Sequence, residues 1–514
     1  MSLLSEATDN PDKPAVIMAG SGEALSYGEL VDGMNRLARL LQAQCEVGDR
    51  VAMLMENERD YFTVAWGVRR AGLRGVPVNW HLTAAEVAYM VDNSDAVALI
   101  VSAGLLDLAE EVRASNDRVK IGLTNGAPTS SFASLPAALA ASSPEPLESE
   151  VEGNLMFYSS GTTGYPKAIK RPLPEAPFGT FSNWELLMQG QYGVTEETVL
   201  LIPGPMYHAA PMGWCQGCQA IGGTVVPLER FDAEAALAAI ERYAVTHALF
   251  VPTHFVRMLN LPEAVRSRYD VSSLRRVVHS AAPCPPHVKR AMIEWFGPLI
   301  DEYYSATEAA GFTVVDSETW LRKPGTVGRP LGGIPHILDE EGRELPVGET
   351  GAVYFEGVDA FEYHGDPGKT SEFFNEKGWG CNGDMGWLDE DGYLFLADRR
   401  SHMIISGGVN IYPQESENVL FEHPAVADVA VIGVPNDEFG EEVKAVVELR
   451  PEAGAGTDQL AEDLLAFCRS KLAHYKCPRS IDFVAELPRT PTGKVRKRDI
   501  RQAYWGEGRR QQIV

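Results

Sequence analysis

Tyr158-Ser159-Ser160-Gly161-Thr162-Thr163-Gly164-Tyr165-Pro166-Lys167 decides the reading of this chain. An apolar run from Leu155 to Tyr158 leads into hydroxyls and glycines, and a lysine closes the segment. Glycines let the backbone turn sharply, so that successive N–H groups can converge on phosphate oxygens. Ser159, Ser160, Thr162 and Thr163 add hydroxyl donors, and Lys167 adds positive charge. The pattern reads as a grip for a triphosphate. It is not a Walker A loop, because the GxxxxGK[ST] spacing is missing and a proline directly precedes the lysine. A Ser/Gly surface turn is the plainer alternative, but a run of hydroxyls ending in lysine, straight after a strand, weighs against it.

The loop closely resembles the phosphate-binding signature of the adenylate-forming superfamily, which includes acyl-CoA synthetases, luciferases and peptide-synthetase adenylation domains. Further motifs follow in that superfamily's order over roughly residues 26 to 500, nearly the whole chain. Asp301-Glu302-Tyr303-Tyr304-Ser305-Ala306-Thr307-Glu308 matches its aromatic-x-x-Thr-Glu element. The resemblance implies an aromatic ring on adenine, with Glu302, Tyr303 and Tyr304 at the nucleotide. It further implies Thr307 at the α-phosphate and Glu308 as an oxygen ligand for Mg²⁺. Ala281 and Ala282, within Ser280-Ala281-Ala282-Pro283, correspond to the small residues on the other face of the base. Asp384, in Gly383-Asp384, matches the aspartate that accepts both ribose hydroxyls, and Arg399 matches the arginine that assists it. A bare Gly-Asp is usually a turn; its weight here comes from its distance to Asp398-Arg399.

Met206-Tyr207-His208 matches the element whose histidine borders the carboxylate pocket. Nearby Met212 and Trp214 are candidates to line an acyl cavity, although core packing explains them equally well. Leu487-Pro488-Arg489-Thr490-Pro491-Thr492-Gly493-Lys494 is the second highly specific match. Its lysine, Lys494, is implied to act on the attacking carboxylate and the α-phosphate; the plainer alternative is a basic tail. Ser406, Gly407 and Gly408 belong to the element that faces coenzyme A, and His402 stands at the hinge position. Three departures occur: Ala168 where glycine is common, Cys381-Asn382 before Gly383-Asp384, and His402 where Asp or Lys is frequent. None removes a charged or phosphate-contacting group.

The bulk properties agree. At 514 residues the chain is too long for one ordinary core. A net charge of -26 argues against nucleic acid or an anionic membrane as the main partner. No basic segment followed by an apolar stretch opens the sequence, and no apolar run is long enough to span a bilayer. The seven scattered cysteines read as reduced thiols, so a cytoplasmic enzyme is expected. Cys215-x-x-Cys218 lacks the partner pair of a zinc site.

Capping boxes at Ser26/Glu29 and Thr83/Glu86 predict helix starts. The continuous apolar run Ala96 to Val101 predicts a strand of a sheet covered on both faces. Thr124 to Gly153, rich in Ser, Pro, Ala and Glu, reads as a surface connection. The expected fold is α/β: a large N-terminal domain of mixed and parallel sheets with helices and a small β-subdomain, then a small mobile α+β C-terminal domain. The expected boundaries are 1–398 for the nucleotide and acyl domain, 399–402 for the hinge and 403–514 for the mobile domain. The expected function is ATP-dependent activation of a hydrophobic carboxylic acid as acyl-adenylate, with transfer to coenzyme A. The substrates are then the acid, ATP with Mg²⁺, and CoA; a homodimer is left open. The alternatives are a stand-alone enzyme for one half-reaction (adenylation for a carrier protein, or thioesterification of a supplied acyl-adenylate) and a non-catalytic acyl-adenylate sensor.

Overall fold

The computed structural model describes residues 3–148, 151–159, 166–407, 409–436, 438–490 and 495–505. They pack as two compact units, residues 1–279 with 359–372, and residues 280–358 with 373–514.

In the first unit a six-stranded sheet is parallel throughout. Its order is Ala133–Ser134, Ile121–Thr124, Ala96–Val101, Arg50–Leu54, Arg74–Pro77, Asn154–Leu155. Its central strands are almost entirely buried, as expected where helices cover both faces. Both predicted capping boxes form. Ser26 Oγ accepts from the Glu29 N–H at 3.2 Å while Glu29 accepts from the Ser26 N–H at 2.9 Å, opening Tyr27–Gln42. The Thr83/Glu86 pair opens Ala84–Asn93 in the same way.

A second group of strands in this unit, Arg276–His279, His247–Phe250, Val199–Ile202, Thr224–Pro227 and Pro14–Ile17, is also parallel, with Ala24–Ser26 added antiparallel. Tyr158–Ser159, Lys167–Lys170 and Glu362–Tyr363 form a small antiparallel sheet at the base of the predicted grip. The stretch 124–153 is more than a connection. It holds the strand Ala133–Ser134 and the helix Leu135–Ala140, whose first turn is capped by Ser134 Oγ and started by a proline.

The second unit carries an antiparallel meander: Ile334–Leu338, Gly351–Glu356, Gly380–Leu388, Leu394–Arg399, Thr326–Gly332, Phe312–Val315, Ile300–Tyr304. Asp339–Gly342 and Asp389–Gly392 close as turns, with Gly342 and Gly392 at φ 77°. From Ile404 onward a smaller sheet pairs Val409–Ile411, Ile404–Ser406, Gly440–Leu449 and Val426–Asn436, with Ser480–Val484 parallel to Gly440–Leu449. Its core gathers Ile404, Leu420, Val431, Ala445, Leu464 and Cys468. The expected boundary at 398 concerns motion and is taken up below.

Candidate active site

The grip is built on short strands. Tyr158–Ser159 and Lys167–Lys170 pair antiparallel, with Ser159 opposite Lys167 and Tyr158 opposite Ala168. Of the residues expected there, Ser160, Gly161, Thr162, Thr163 and Gly164 lie outside the described residues, as does Tyr165. The base of the segment is well defined. Tyr158 Oη donates to Met90 O at 3.0 Å and lies 2.9 Å from Asn93 Oδ1, and Tyr89 Oη donates to Pro166 O at 3.2 Å. The Lys167 ammonium lies 5.0 Å from the centroid of the Tyr363 ring.

In the second unit the structure gathers residues that are far apart in sequence. Tyr304, at the end of Ile300–Tyr304, donates from Oη to Asp384 Oδ2 at 2.6 Å. Arg399 Nε lies 3.3 Å from Asp384 Oδ1, and Asn382 Nδ2 donates to Tyr304 Oη at 3.4 Å. Gly383 takes φ 83°, a conformation that only glycine adopts freely, and this bends the strand just before Asp384. Asp384 is buried, and burial followed by the neighbouring carboxylate raises the Tyr304 phenol well above its ordinary pKa. The phenol therefore stays a donor. One carboxylate oriented by an arginine and a phenol suits a pair of vicinal hydroxyls.

Thr307 and Glu308 occupy the turn directly after this strand, closed by the Ala309 N–H to Ala306 O bond of 2.9 Å. Ala281 sits at φ 75° without being glycine, a strained backbone held at the position expected to face the base. Tyr303 stacks on Phe312 with centroids 5.0 Å apart. Glu302 is buried and its carboxylate accepts from Lys289 Nζ at 2.6 Å, so it is engaged by that lysine.

His208 stands at the N-cap position of the helix Ala209–Ile221 without a side-chain cap bond, and Tyr207 is tilted against it at 4.5 Å. Burial alone pushes the His208 pKa down to about 4, so the imidazole is neutral at pH 7. Met212 and Trp214 are fully buried, and Trp214 packs between Trp184 (5.7 Å) and Tyr192 (4.9 Å). Ser406 ends the strand Ile404–Ser406, and Gly407, at φ 58°, donates to Phe439 O at 2.8 Å. Gly408 and Lys494 lie outside the described residues.

His402 Nδ1 is 3.2 Å from Asp398 Oδ1, and Lys497 Nζ reaches Glu417 at 2.7 Å and Asp398 at 3.8 Å. Burial opposes ionisation of Asp398, yet Lys497 and His402 hold its carboxyl below the ordinary value.

A model of AMP-binding enzymes matches residues 3–362, and one of the AMP-binding enzyme C-terminal domain matches residues 415–494. The chain belongs to the AMP-binding enzymes, in their acyl-CoA synthetase branch. It is similar to a feruloyl-CoA synthase of Amycolatopsis sp, at 34% identity over 95% of this chain and 96% of the relative. It is also similar to the fatty acid–[acyl-carrier-protein] ligase ScoC of Streptomyces coeruleorubidus, at 32% identity over 98% and 96%. The amide bond synthetase McbA of Marinactinospora thermotolerans superposes with a TM-score of 0.84 at 30% identity, covering 97% of this chain and 98% of McbA.

For this AMP-binding enzyme, the motif strings were readable because each is local. Lys289, Tyr363 and Lys497 were not singled out, since their partners come from distant segments. The isolated histidines carry a pH consequence. His208 and His254 are pushed down to about 4 and about 3, both chiefly by burial. Between those values and about 6.5 the unfolded chain binds protons that the folded chain does not, so each costs stability as pH falls below 6.5. By pH 5 the cost is about 2 kcal/mol for each. His208→Gln and His254→Gln should each reduce the stability lost between pH 7 and pH 5 by about that amount. Denaturant unfolding at the two pH values measures it, and an unchanged loss in both variants refutes the assignment.

Proposed function

We propose that this ligase couples a hydrophobic carboxylic acid to coenzyme A through an acyl-adenylate, and that the Tyr304–Asp384–Arg399 group holds the ribose of ATP. The observation that carries the reading is the convergence of Tyr304 and Arg399 on the buried Asp384 carboxylate, with Asn382 donating to the Tyr304 hydroxyl. Lys167 and the hydroxyls of residues 159–163 take the triphosphate; Ala281, Ala282 and the Tyr304 ring flank the base; Thr307 serves the α-phosphate.

Glu308 is the proposed carboxylate for Mg²⁺. Among the described residues no cluster of three ligating side chains occurs. A single carboxylate suits an ion that takes most of its ligands from water and phosphate oxygens. When bound, Mg²⁺ supplies neutralising charge to the phosphates.

In the first step an oxygen of the carboxylate forms a bond to the α-phosphorus, the bond to the bridging oxygen breaks, and pyrophosphate leaves. Lys494 stabilises the charge that grows there. In the second, the CoA sulfur, which reacts as thiolate, attacks the acyl carbon. The acyl–oxygen bond breaks, AMP departs, and the thiol proton goes to solvent. Ser406, Gly407 and Gly408 are the proposed CoA-facing residues. His208, neutral at pH 7, borders the acid, and the apolar surroundings of Met212 and Trp214 favour a fatty, alicyclic or aromatic monoacid.

Incubation with ATP, a panel of such acids and CoA, following pyrophosphate and acyl-CoA separately, tests the whole reading. Pyrophosphate without acyl-CoA would point to a carrier-protein thiol or a single half-reaction, and neither product to a sensor. Seven free cysteines support a cytoplasmic setting, which fractionation checks. Among the described residues no helix is long and apolar enough to cross a membrane. The homodimer is a matter for sedimentation.

The proposed hinge runs through residues 399–402, with 403–514 moving as the smaller domain and 1–398 as the larger. Support comes from the cluster in which Asp398 bonds His402 and the Gln414 N–H at once. His402→Pro, which fixes φ, should leave one half-reaction near its original rate and suppress the other. Two unchanged rates would move the pivot elsewhere.

A further inference from the structure

We propose that Tyr363 is a positioning residue for nucleotide use, its ring seating the ammonium of Lys167 at the base of the phosphate grip. The inference rests on Lys167 belonging to that grip. The register explains the contact. Tyr363 pairs with Ile169 and Glu362 with Lys170. Side chains alternate along a strand, so Lys167 and Ile169 share a face, and the residue opposite Ile169 shares it too. The Tyr363 ring therefore comes under Lys167, with Nζ 5.0 Å from its centroid.

The ring is itself held. Tyr363 is 8% exposed, and Phe361 meets it edge-on at 5.3 Å and 86°. Its N–H donates to Thr370 Oγ1 at 2.9 Å, and its carbonyl accepts from Asp366 N at 3.0 Å. The strands are tied on either side, by Lys170 Nζ to Glu362 at 2.8 Å and by the His364 N–H to Ala168 O at 2.9 Å.

Among the described residues no carboxylate pairs with Lys167. That difference matters. A carboxylate would neutralise the ammonium and have to be broken away before a phosphate could use the charge. A ring attracts the cation through its quadrupole yet leaves the N–H donors unspent. Lysine has a long flexible stem, so seating its end on the ring removes rotamer freedom that nucleotide binding would otherwise have to remove.

The test is a double-mutant cycle on the full-length enzyme, with pyrophosphate release as readout. Tyr363→Leu should raise the KM for ATP about three- to tenfold, the range of a partly desolvated cation–π contact, with kcat changed less than about twofold. Tyr363→Phe, which keeps the ring face, should stay within about twofold of the original KM. In a Lys167→Met background, Tyr363→Leu should add nothing further, because its effect runs through the ammonium.

If Lys167→Met leaves the KM for ATP unchanged, the grip itself is misassigned and the proposal falls with it. If Lys167→Met is impaired but Tyr363→Leu is silent, the proposal alone falls. It falls equally if Tyr363→Leu costs the same in both backgrounds, or if Phe is as poor as Leu. Should Tyr363→Leu fail to fold, Tyr363→Met, longer, more adaptable and without a ring, takes its place in the same cycle.

Discussion

Lys494→Ala is expected to slow acyl-adenylate formation by roughly 10²- to 10³-fold, the scale of losing one donor that acts on transition-state charge. Thioester formation from supplied acyl-adenylate is expected to persist. The lysine itself lies outside the described residues, but the stem that carries it is well fixed. Arg489 and Val495 form an antiparallel bridge, and Arg496 N donates to Pro488 O at 2.8 Å. Arg489 pairs with Asp428 and, at 3.3 Å, with Glu448, while Leu487 is buried beside Ile432, Val434 and Val446. Replacing Lys494 therefore removes a charge and leaves these anchors intact. Pyrophosphate release and acyl-CoA formation from synthetic acyl-adenylate, measured on the same preparation, separate the two steps. Equal loss in both would remove Lys494 from a role specific to adenylation.

Lys289→Met should be the most destabilising single change predicted here, at about 3–5 kcal/mol. Lys289 is fully buried in the helix Pro286–Phe296, its ammonium 2.6 Å from Glu302 and 4.9 Å from the Trp320 ring centroid. Burial raises the Glu302 carboxyl pKa, and Lys289 works against that rise. Without the lysine, Glu302 is left as a buried carboxylate lacking its cation and must take up a proton or pull water into the core. The double replacement Lys289→Met with Glu302→Gln removes both charges and should recover much of the loss. Denaturant midpoints of the single and double variants measure the coupling. A single variant within about 1 kcal/mol of the original would mean that the pair adds little to folding.

Local chemistry was what the sequence exposed. Ser26/Glu29 and Thr83/Glu86 announce their helices because a capping box is complete within four residues, and both form. The run Ala96 to Val101 is a strand over those same residues. The helix Leu135–Ala140 was passed over because its Ser-, Pro- and Ala-rich surroundings read as a connection. Its signals were present in Ser134 and the proline that follows.

The candidate site divides along the same line. Strings such as Tyr304 to Glu308 were readable, whereas the bond from Tyr304 to Asp384 spans 80 residues and depends on the order of the meander. Lys289 carries no signal of its own, since nothing in its neighbourhood in the sequence marks Glu302 as its partner. Tyr363 is similar: only the pairing of its two-residue strand brings it under Lys167.

The tyrosine pegs on either side of residues 160–165 have a thermodynamic consequence. Tyr158 is held by Met90 and Asn93, Pro166 by Tyr89, and Ser159 faces Lys167 in the ladder. Both ends of the six-residue segment are thus fastened to one helix, Ala84–Asn93, and to each other. Closing a loop of this size costs chain entropy. Joining the ends in the ladder places that cost on folding. If residues 160–165 take the triphosphate as proposed, a weakened peg at Tyr89 or Tyr158 would transfer part of the cost back to binding, and affinity would depend on the helix Ala84–Asn93.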